Sequence, residues 1–255
     1  MIISRKRFLQ VTGVSLLVAA GEKLMGAFSG VVPSEAPAPA LTARRWAMVV
    51  DLPKCYRKEG CIKCIEACHA AHNVPKFIDH ALEVKWIWKD SFENVFPSQE
   101  NHYLAATFKD KPALAFCNHC DNPPCVRVCP TQATWKREDG IVMMDWHRCI
   151  GCRYCMAACP YGSRSFNWTN PRSNIAKLDP DFPTRTKGVV EKCTFCEERL
   201  GKGKLPACVE ACPEKAMAFG DLDDSHSQVR ELLGSRYSIR RKPELGTQPE
   251  IFYLV

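Results

Sequence analysis

Cys149-Ile-Gly-Cys-Arg-Tyr-Cys-Met-Ala-Ala-Cys-Pro160 is the stretch on which the reading of this chain turns. Its thiols, Cys149, Cys152, Cys155 and Cys159, stand in the order C-x2-C-x2-C-x3-C-P, a ligand spacing of [4Fe–4S] clusters. The spacing has a physical cause. Three thiolates on a tight loop can grip three corners of one cubane, while the fourth starts a helix that leads to a second one. Pro160 turns or starts that segment without needing a backbone donor. Gly151 lets the backbone approach the inorganic sulfides.

Working outward, the other twelve of the sixteen cysteines form three more tetrads with none left over. Cys117, Cys120, Cys125 and Cys129 run C-x2-C-x4-C-x3-C before Pro130. Cys193, Cys196, Cys208 and Cys212 run C-x2-C-x11-C-x3-C before Pro213. The tetrad of Cys55, Cys61, Cys64 and Cys68 is irregular: Tyr56–Gly60 stands where two residues are usual, and His69 takes the place of the proline. Four complete tetrads predict four [4Fe–4S] clusters. Zinc sites would show two pairs rather than a run ending in C-x3-C-P. Exported chains rich in cysteine are usually disulfide scaffolds, but such scaffolds rarely repeat one ligand grammar four times. With every tetrad complete, His69, His72 and His119 are expected to be hydrogen-bond donors or surface residues.

The tetrads are an internal repeat, and between the second and third lies a hairpin signal, Asp139-Gly140 inside Ala133–Asp145. Short strands beside a short helix after each cysteine run give an α+β, ferredoxin-like plan. Residues 41–255 then form a tandem of two pseudo-symmetric two-cluster units with loop insertions. The inner unit covers about 111–168. The outer is assembled from about 46–80 and 188–222, with a C-terminal extension over 223–255. Further strands are expected at Trp46–Val50, Leu82–Trp88 and Tyr103–Phe108. A late helix around Val229–Leu233 would be capped by Asp224 or Ser225. Asn167–Gly188, rich in Pro, Thr and charge, is expected to be a surface insertion that meets a partner.

Residues 1–40 look like an address label. Ser4-Arg5-Lys6-Arg7-Phe8-Leu9 is a twin-arginine-type opening with a lysine inside the pair. A short apolar stretch, Val11–Ala20, and the Pro/Ala linker Pro33–Ala40 follow. The apolar stretch is too short to span a bilayer, so export to the periplasm is expected. The export route carries folded proteins, so clusters built beforehand could travel inside. The formal charge is +7. Removing this leader takes away four cations and two carboxylates and leaves +5. Four thiolate-bound clusters at roughly −2 each then bring the protein to about −3. Such a charge gives no reason to expect a nucleic-acid partner.

Several blocks together carry a resemblance. Cys117-Asn-His-Cys120, Pro123-Pro-Cys125, Cys129-Pro-Thr131, Cys149-Ile-Gly-Cys-Arg-Tyr-Cys155, Ala158-Cys-Pro-Tyr161, Lys192-Cys-Thr-Phe-Cys196 and Ala211-Cys-Pro213 resemble the four-cluster iron–sulfur subunits of membrane oxidoreductases, the electron-transfer partners of polysulfide, dimethyl-sulfoxide and nitrite reductases. The resemblance covers residue 46 to about 222. It implies an electron-transfer subunit rather than an enzyme, in a hetero-oligomeric complex. It also implies the pairings Cys55/Cys61/Cys64 with Cys212, Cys193/Cys196/Cys208 with Cys68, Cys117/Cys120/Cys125 with Cys159, and Cys149/Cys152/Cys155 with Cys129. More narrowly, Glu59–His69 and His72-Asn-Val-Pro75, with the export signal, are similar to the DsrO type, the periplasmic subunit of a transmembrane complex tied to sulfite reduction. That similarity implies a periplasmic multihaem cytochrome on one side and an integral membrane, quinone-interacting subunit on the other. The broader resemblance leaves a molybdopterin subunit as the alternative partner. Arg127, Arg148 and Arg153 lie in or beside the second and third tetrads, where a cation would raise a cluster's potential; the other reading is of solvated surface arginines.

Overall fold

The computed structural model describes residues 38–99, 101 and 103–255. The twin-arginine-type signal and most of its linker lie outside these residues. Trp46–Asp51 (β1) is a run of six buried residues, the pattern of a strand covered on both faces. The strands that follow are Ile87–Ser91 (β2), Pro112–Phe116 (β3), Thr134–Lys136 (β4), Val142–Met144 (β5), Ser165–Phe166 (β6), Val190–Glu191 (β7), Met217–Asp221 (β8), Ser238–Ile239 (β9) and Ile251–Leu254 (β10). The central sheet has the order β8-β1-β10-β9. β1 pairs antiparallel with β8, with Val49 opposite Ala218, and parallel with β10, with Val49 opposite Phe252. Residues 223–255 therefore complete this sheet. β2–β3, β4–β5 and β6–β7 are separate antiparallel pairs.

The hairpin at Asp139-Gly140 forms as β4–β5, with Thr134 opposite Met144 and Gly140 at φ +86°. The strand expected at Leu82–Trp88 begins only at Ile87, because His80–Leu82 is a 3-10 turn capped by Asp79. Tyr103–Phe108 is not a strand. Tyr103 is almost fully exposed, and Asp110 takes a left-handed φ of +57° that ends the excursion before β3. The late helix spans Gln228–Ser235, and its cap is Ser227, whose hydroxyl accepts from the Arg230 amide.

Most of the segment 167–188 lies at the surface, as expected, but buried residues pin it to the body of the protein. Asn73 Nδ2 donates to the Asp179 and Phe182 carbonyls, and Phe182 and Arg185 are buried. The Arg185 and Glu191 side chains are fully buried 2.6 Å apart. Arg185 also donates to the His72, Asn73 and Pro183 carbonyls, and its guanidinium lies among Trp86, Trp146 and Phe182. Glu191 further accepts from Trp86 Nε1 and Asn167 Nδ2. One charge of this segment, Arg185, thus faces inward onto an aromatic nest, while Arg172, Lys177, Asp181 and Lys187 stay exposed.

A backbone repeat underlies the cysteine runs. Three residues after Cys129, Cys159 and Cys212 stand Gln132, Gly162 and Lys215, all at left-handed φ (+53°, +64° and +47°). In each case that amide donates back to the cysteine carbonyl at 3.2–3.4 Å. These are the three runs that continue with proline. Cys68 has no proline after it, so its helix, Lys63–Ala71, continues to nine residues and the His72 amide donates to the Cys68 carbonyl at 3.1 Å.

Candidate iron–sulfur sites

All sixteen cysteines are free thiols, and the fold gathers them in groups that cross the tetrads, two of them sets of four around a cavity. Cys55, Cys61, Cys64 and Cys212 line one cavity, together with Leu114 and Met217 (site A). Cys117, Cys120, Cys125 and Cys159 line another, beside Tyr161 and Arg164 (site C). The extra residues of the irregular tetrad do not spoil site A. Cys55 rides on the helix Leu52–Tyr56, capped by Asp51, and Gly60, at φ +66°, closes the loop back to Cys61.

The remaining eight thiols make two further groups. Cys68 is raised well above the usual thiol range, first by burial and then by Cys196, Cys193 and Cys208 (site B). Cys129, Cys149 and Cys155 pack in one apolar cluster, with Cys152 exposed on the loop between the last two (site D). Gly151, at φ +72°, adjoins Cys152. A Cβ there would come within 2.4 Å of the Gly188 carbonyl oxygen and 3.2 Å of Phe166. The glycine thus makes room for the 167–188 segment to close over the site D loop.

Thiols of neighbouring sites lie within one another's fields in one order. Burial is the main cause that raises Cys208, Cys68, Cys193 and Cys155, but a thiol of the next site adds to it. Cys64 of site A raises Cys208 and Cys68 of site B. Cys117 of site C raises Cys193 of site B, and Cys125 of site C raises Cys155 of site D. The sites therefore follow one another A, B, C, D.

This arrangement fits clusters chemically. Burial, with neighbouring thiols next, pushes Cys64, Cys120 and Cys193 up to about 12. Four such groups in one cavity are stable as thiolates only against a metal charge. Donors to sulfur are already in place. The Phe195 amide lies 3.4 Å from Cys193 Sγ, the Ala207 amide 3.4 Å from Cys196 Sγ and the Ala216 amide 3.3 Å from Cys212 Sγ. Phe195 and Cys196 both take left-handed φ, which turns the chain toward these sulfurs.

The histidines and cations divide sharply by burial. His119 is fully buried, stacked on Phe195 at 3.7 Å, and its Nδ1 accepts from the Val142 amide. His72 is buried against Trp86; its Nδ1 donates to the Cys68 carbonyl at 2.7 Å and its Nε2 lies 3.0 Å from Glu198. Arg127, Arg148 and Arg153 are exposed. Arg148 meets Asp145, and Arg153 lies over Phe166 and Trp168. Arg164, which touches Cys125 Sγ, and Lys192 are buried cations whose charge acts on thiols of sites B, C and D, as the half-buried Lys89 does on Cys55 and Cys64 of site A. Neither buried cation was singled out as a cation from the sequence. Lys192 stands directly before Cys193, and only its place in that run could have drawn notice. Nothing local marks Arg164.

Short helices lying within each cysteine run rather than after it, small antiparallel strand pairs and gathered thiols define a ferredoxin-like [4Fe–4S] protein of mixed α and β structure. A family profile described as a 4Fe-4S dicluster domain matches residues 113–222. The chain is 40% identical to the Hdr-like menaquinol oxidoreductase iron-sulfur subunit 1 of Archaeoglobus fulgidus, over 98% of this chain and 97% of that one. It is 39% identical to the menaquinone reductase iron-sulfur cluster-binding subunit of Nitratidesulfovibrio vulgaris, over 82% and 88%. It is 37% identical to the arsenate respiratory reductase iron-sulfur subunit ArrB of a Shewanella species, over 82% and 96%. The chain belongs to this family of iron–sulfur electron-transfer subunits of oxidoreductase complexes.

Proposed function

We propose that sites A to D each hold one [4Fe–4S] cluster and that the chain relays single electrons along that order. The ligand sets are Cys55/Cys61/Cys64/Cys212, Cys68/Cys193/Cys196/Cys208, Cys117/Cys120/Cys125/Cys159 and Cys129/Cys149/Cys152/Cys155. Sites A and B form one two-cluster unit and sites C and D the other. The observation that carries this reading is the unbroken succession of four thiol groups. When bound, each cluster takes up and gives back one electron without changing a bond in any substrate.

The chain supplies the surroundings. Backbone amides at Phe195, Ala207 and Ala216 donate to sulfur, which favours added negative charge. Leu114 and Met217 at site A and Val142 at site C keep water from the inner faces. At the two ends the protein is more open. Ile62 is exposed between the site A thiols Cys61 and Cys64, and Ile150, Tyr154 and Trp168 are exposed around Cys152. Those are the places where electrons enter and leave.

The partners we infer are a periplasmic multihaem cytochrome and an integral membrane subunit that handles quinone, in a respiratory complex of sulfur or sulfite metabolism. The relatives named for menaquinol and menaquinone support the quinone side, and the leader supports a periplasmic location. No helix among the described residues is long and apolar enough to cross a membrane, so in this reading a partner supplies the anchor. Iron and acid-labile sulfide per chain, with EPR of the dithionite-reduced protein, test the relay. The expected result is about sixteen irons and interacting reduced signals. About twelve would leave one site without a cluster, and none would overturn the proposal. Isolation of the intact complex then reads the partners: a molybdopterin subunit in place of the cytochrome would overturn that assignment alone.

A further inference from the structure

Cations as deeply buried as Arg164 and Lys192 ordinarily carry a carboxylate partner. Arg185 does, in Glu191. Arg164 and Lys192 have none among the described residues. Arg164 Nη2 donates to Cys125 Sγ at 3.1 Å and Thr134 Oγ1 at 2.8 Å, and Nη1 points at Met144 Sδ at 3.7 Å. Lys192 is fully buried and donates only to the Val142 and Cys193 carbonyls. The thiols in their fields are shared between sites. Arg164 acts on Cys125 and Cys117 of site C and Cys155 of site D; Lys192 acts on Cys117 and Cys125 of site C and Cys193 of site B. Site C is the place where both fields overlap.

Site B has the opposite surroundings. It shares Lys192 but also faces Glu198, whose carboxylate acts on Cys193 and Cys196 and whose Oε2 has no hydrogen-bond partner. The two inner sites thus combine the same ligands with different fixed charge. A reduced cluster carries one more negative charge than an oxidised one, and buried fixed charge acts strongly across a few ångströms. We propose that Arg164 and Lys192 place the potential of site C above that of site B, so that an electron reaching the inner pair settles at site C. This rests on the four-cluster reading above.

The test is a redox titration followed by EPR on the full chain, wild type against Arg164→Gln and Lys192→Met, with iron and sulfide measured in each. Arg164→Gln is expected to lower two signals, those of sites C and D. Lys192→Met is expected to lower two, those of sites B and C. The signal moved by both is site C, and it should fall at least about tenfold in its reduction equilibrium, which is 59 mV for one electron. The signal moved only by Lys192→Met is site B, and in wild type it should lie below site C. Full iron with no shared signal, or with site B above site C, overturns the inference while leaving the relay standing. Missing iron in wild type overturns the relay itself. Should Arg164→Gln load less iron than wild type, Arg164→Lys and Glu198→Gln decide. The first keeps the charge and should hold site C in place; the second should raise one signal toward site C and leave site C unmoved. Failure of either result overturns the inference.

Discussion

Cys68 and Cys159 do the same job in different ways. Each is the last cysteine of its tetrad, and each lies in a site whose other three thiols come from another tetrad. After Cys159 the proline ends the helix, Gly162 takes a left-handed φ, and the chain turns at once, delivering Tyr161, Ser163 and Arg164 to site C. After Cys68 there is no proline. The helix runs on to Ala71, and the chain then places His72 between Cys68 and Glu198. The residue after the last cysteine thus decides how soon the chain turns. The moment of turning decides whether a cation or a histidine–carboxylate pair sits beside the sulfurs.

Removing the two joining thiols is the largest perturbation. Cys68→Ser and Cys159→Ser should each lose one cluster, about a quarter of the iron, with the other three sites loaded. Here the comparison can break. His72, Cys196 and Glu198 bring ligand atoms within 4.8 Å of one another beside Cys68, whereas the side chains lining site C offer no such set. If Cys68→Ser keeps full iron while Cys159→Ser does not, the Cys68 end can replace its ligand and the two ends are not equivalent.

Next in size is Arg185→Met. The helix that runs on past Cys68 ends against the Arg185 nest, through the His72 and Asn73 carbonyls. Losing the guanidinium leaves Glu191 buried and unpaired, at a cost of about 3–5 kcal/mol. In a chain of this size that lowers the melting temperature by roughly 10 °C. A calorimetric midpoint within 2 °C of wild type would show that the nest is not what secures the Cys68 end.

A third pair of substitutions tests the role of the proline itself. His69→Pro puts proline inside the helix Lys63–Ala71 and should cost about 3 kcal/mol, because the helix has already committed to continue. Pro160→Ala should cost under about 1 kcal/mol, since Gly162 still provides the turn. Denaturant midpoints on both variants decide; equal losses would mean that proline does not set the difference.

How much of this was legible in the sequence follows the same division. The iron–sulfur character of the chain, the Asp139-Gly140 hairpin and β1 could be read because each is a local pattern: fixed cysteine spacing, a turn dipeptide, an unbroken apolar run. The strand at Tyr103–Phe108 misled because Leu104 and Phe108 pack on the core from a run of turns, with exposed residues between them and no strand to pair with. In the segment 167–188, charge composition could not show that Arg185 finds Glu191 in the interior. Beside its expected approach to sulfide, Gly151 meets a constraint no local spacing could show, the Gly188 carbonyl thirty-seven residues later. The cations singled out for site C and site D were those written beside cysteines, Arg127, Arg148 and Arg153; the cation that touches a sulfur, Arg164, follows its tetrad and is folded back onto it by the left-handed turn at Gly162.

The smallest effect follows from that last difference. Arg153 stands next to Cys152 in the chain, yet it is exposed and its guanidinium lies over Phe166 and Trp168, at 5.4 Å and 4.8 Å. Water and salt screen such a charge, and exposed pairs typically contribute under about 1 kcal/mol. Arg153→Gln should therefore move the site D potential by less than about a fivefold change in its reduction equilibrium, and that small shift should shrink further at high salt. Arg164→Gln should keep its effect at high salt, because water does not reach its contact with Cys125. Titrating both variants at two ionic strengths separates proximity in the chain from proximity to the sulfur. A salt-insensitive shift at Arg153 as large as that at Arg164 would mean that burial is not what gives a cation its hold on these sites.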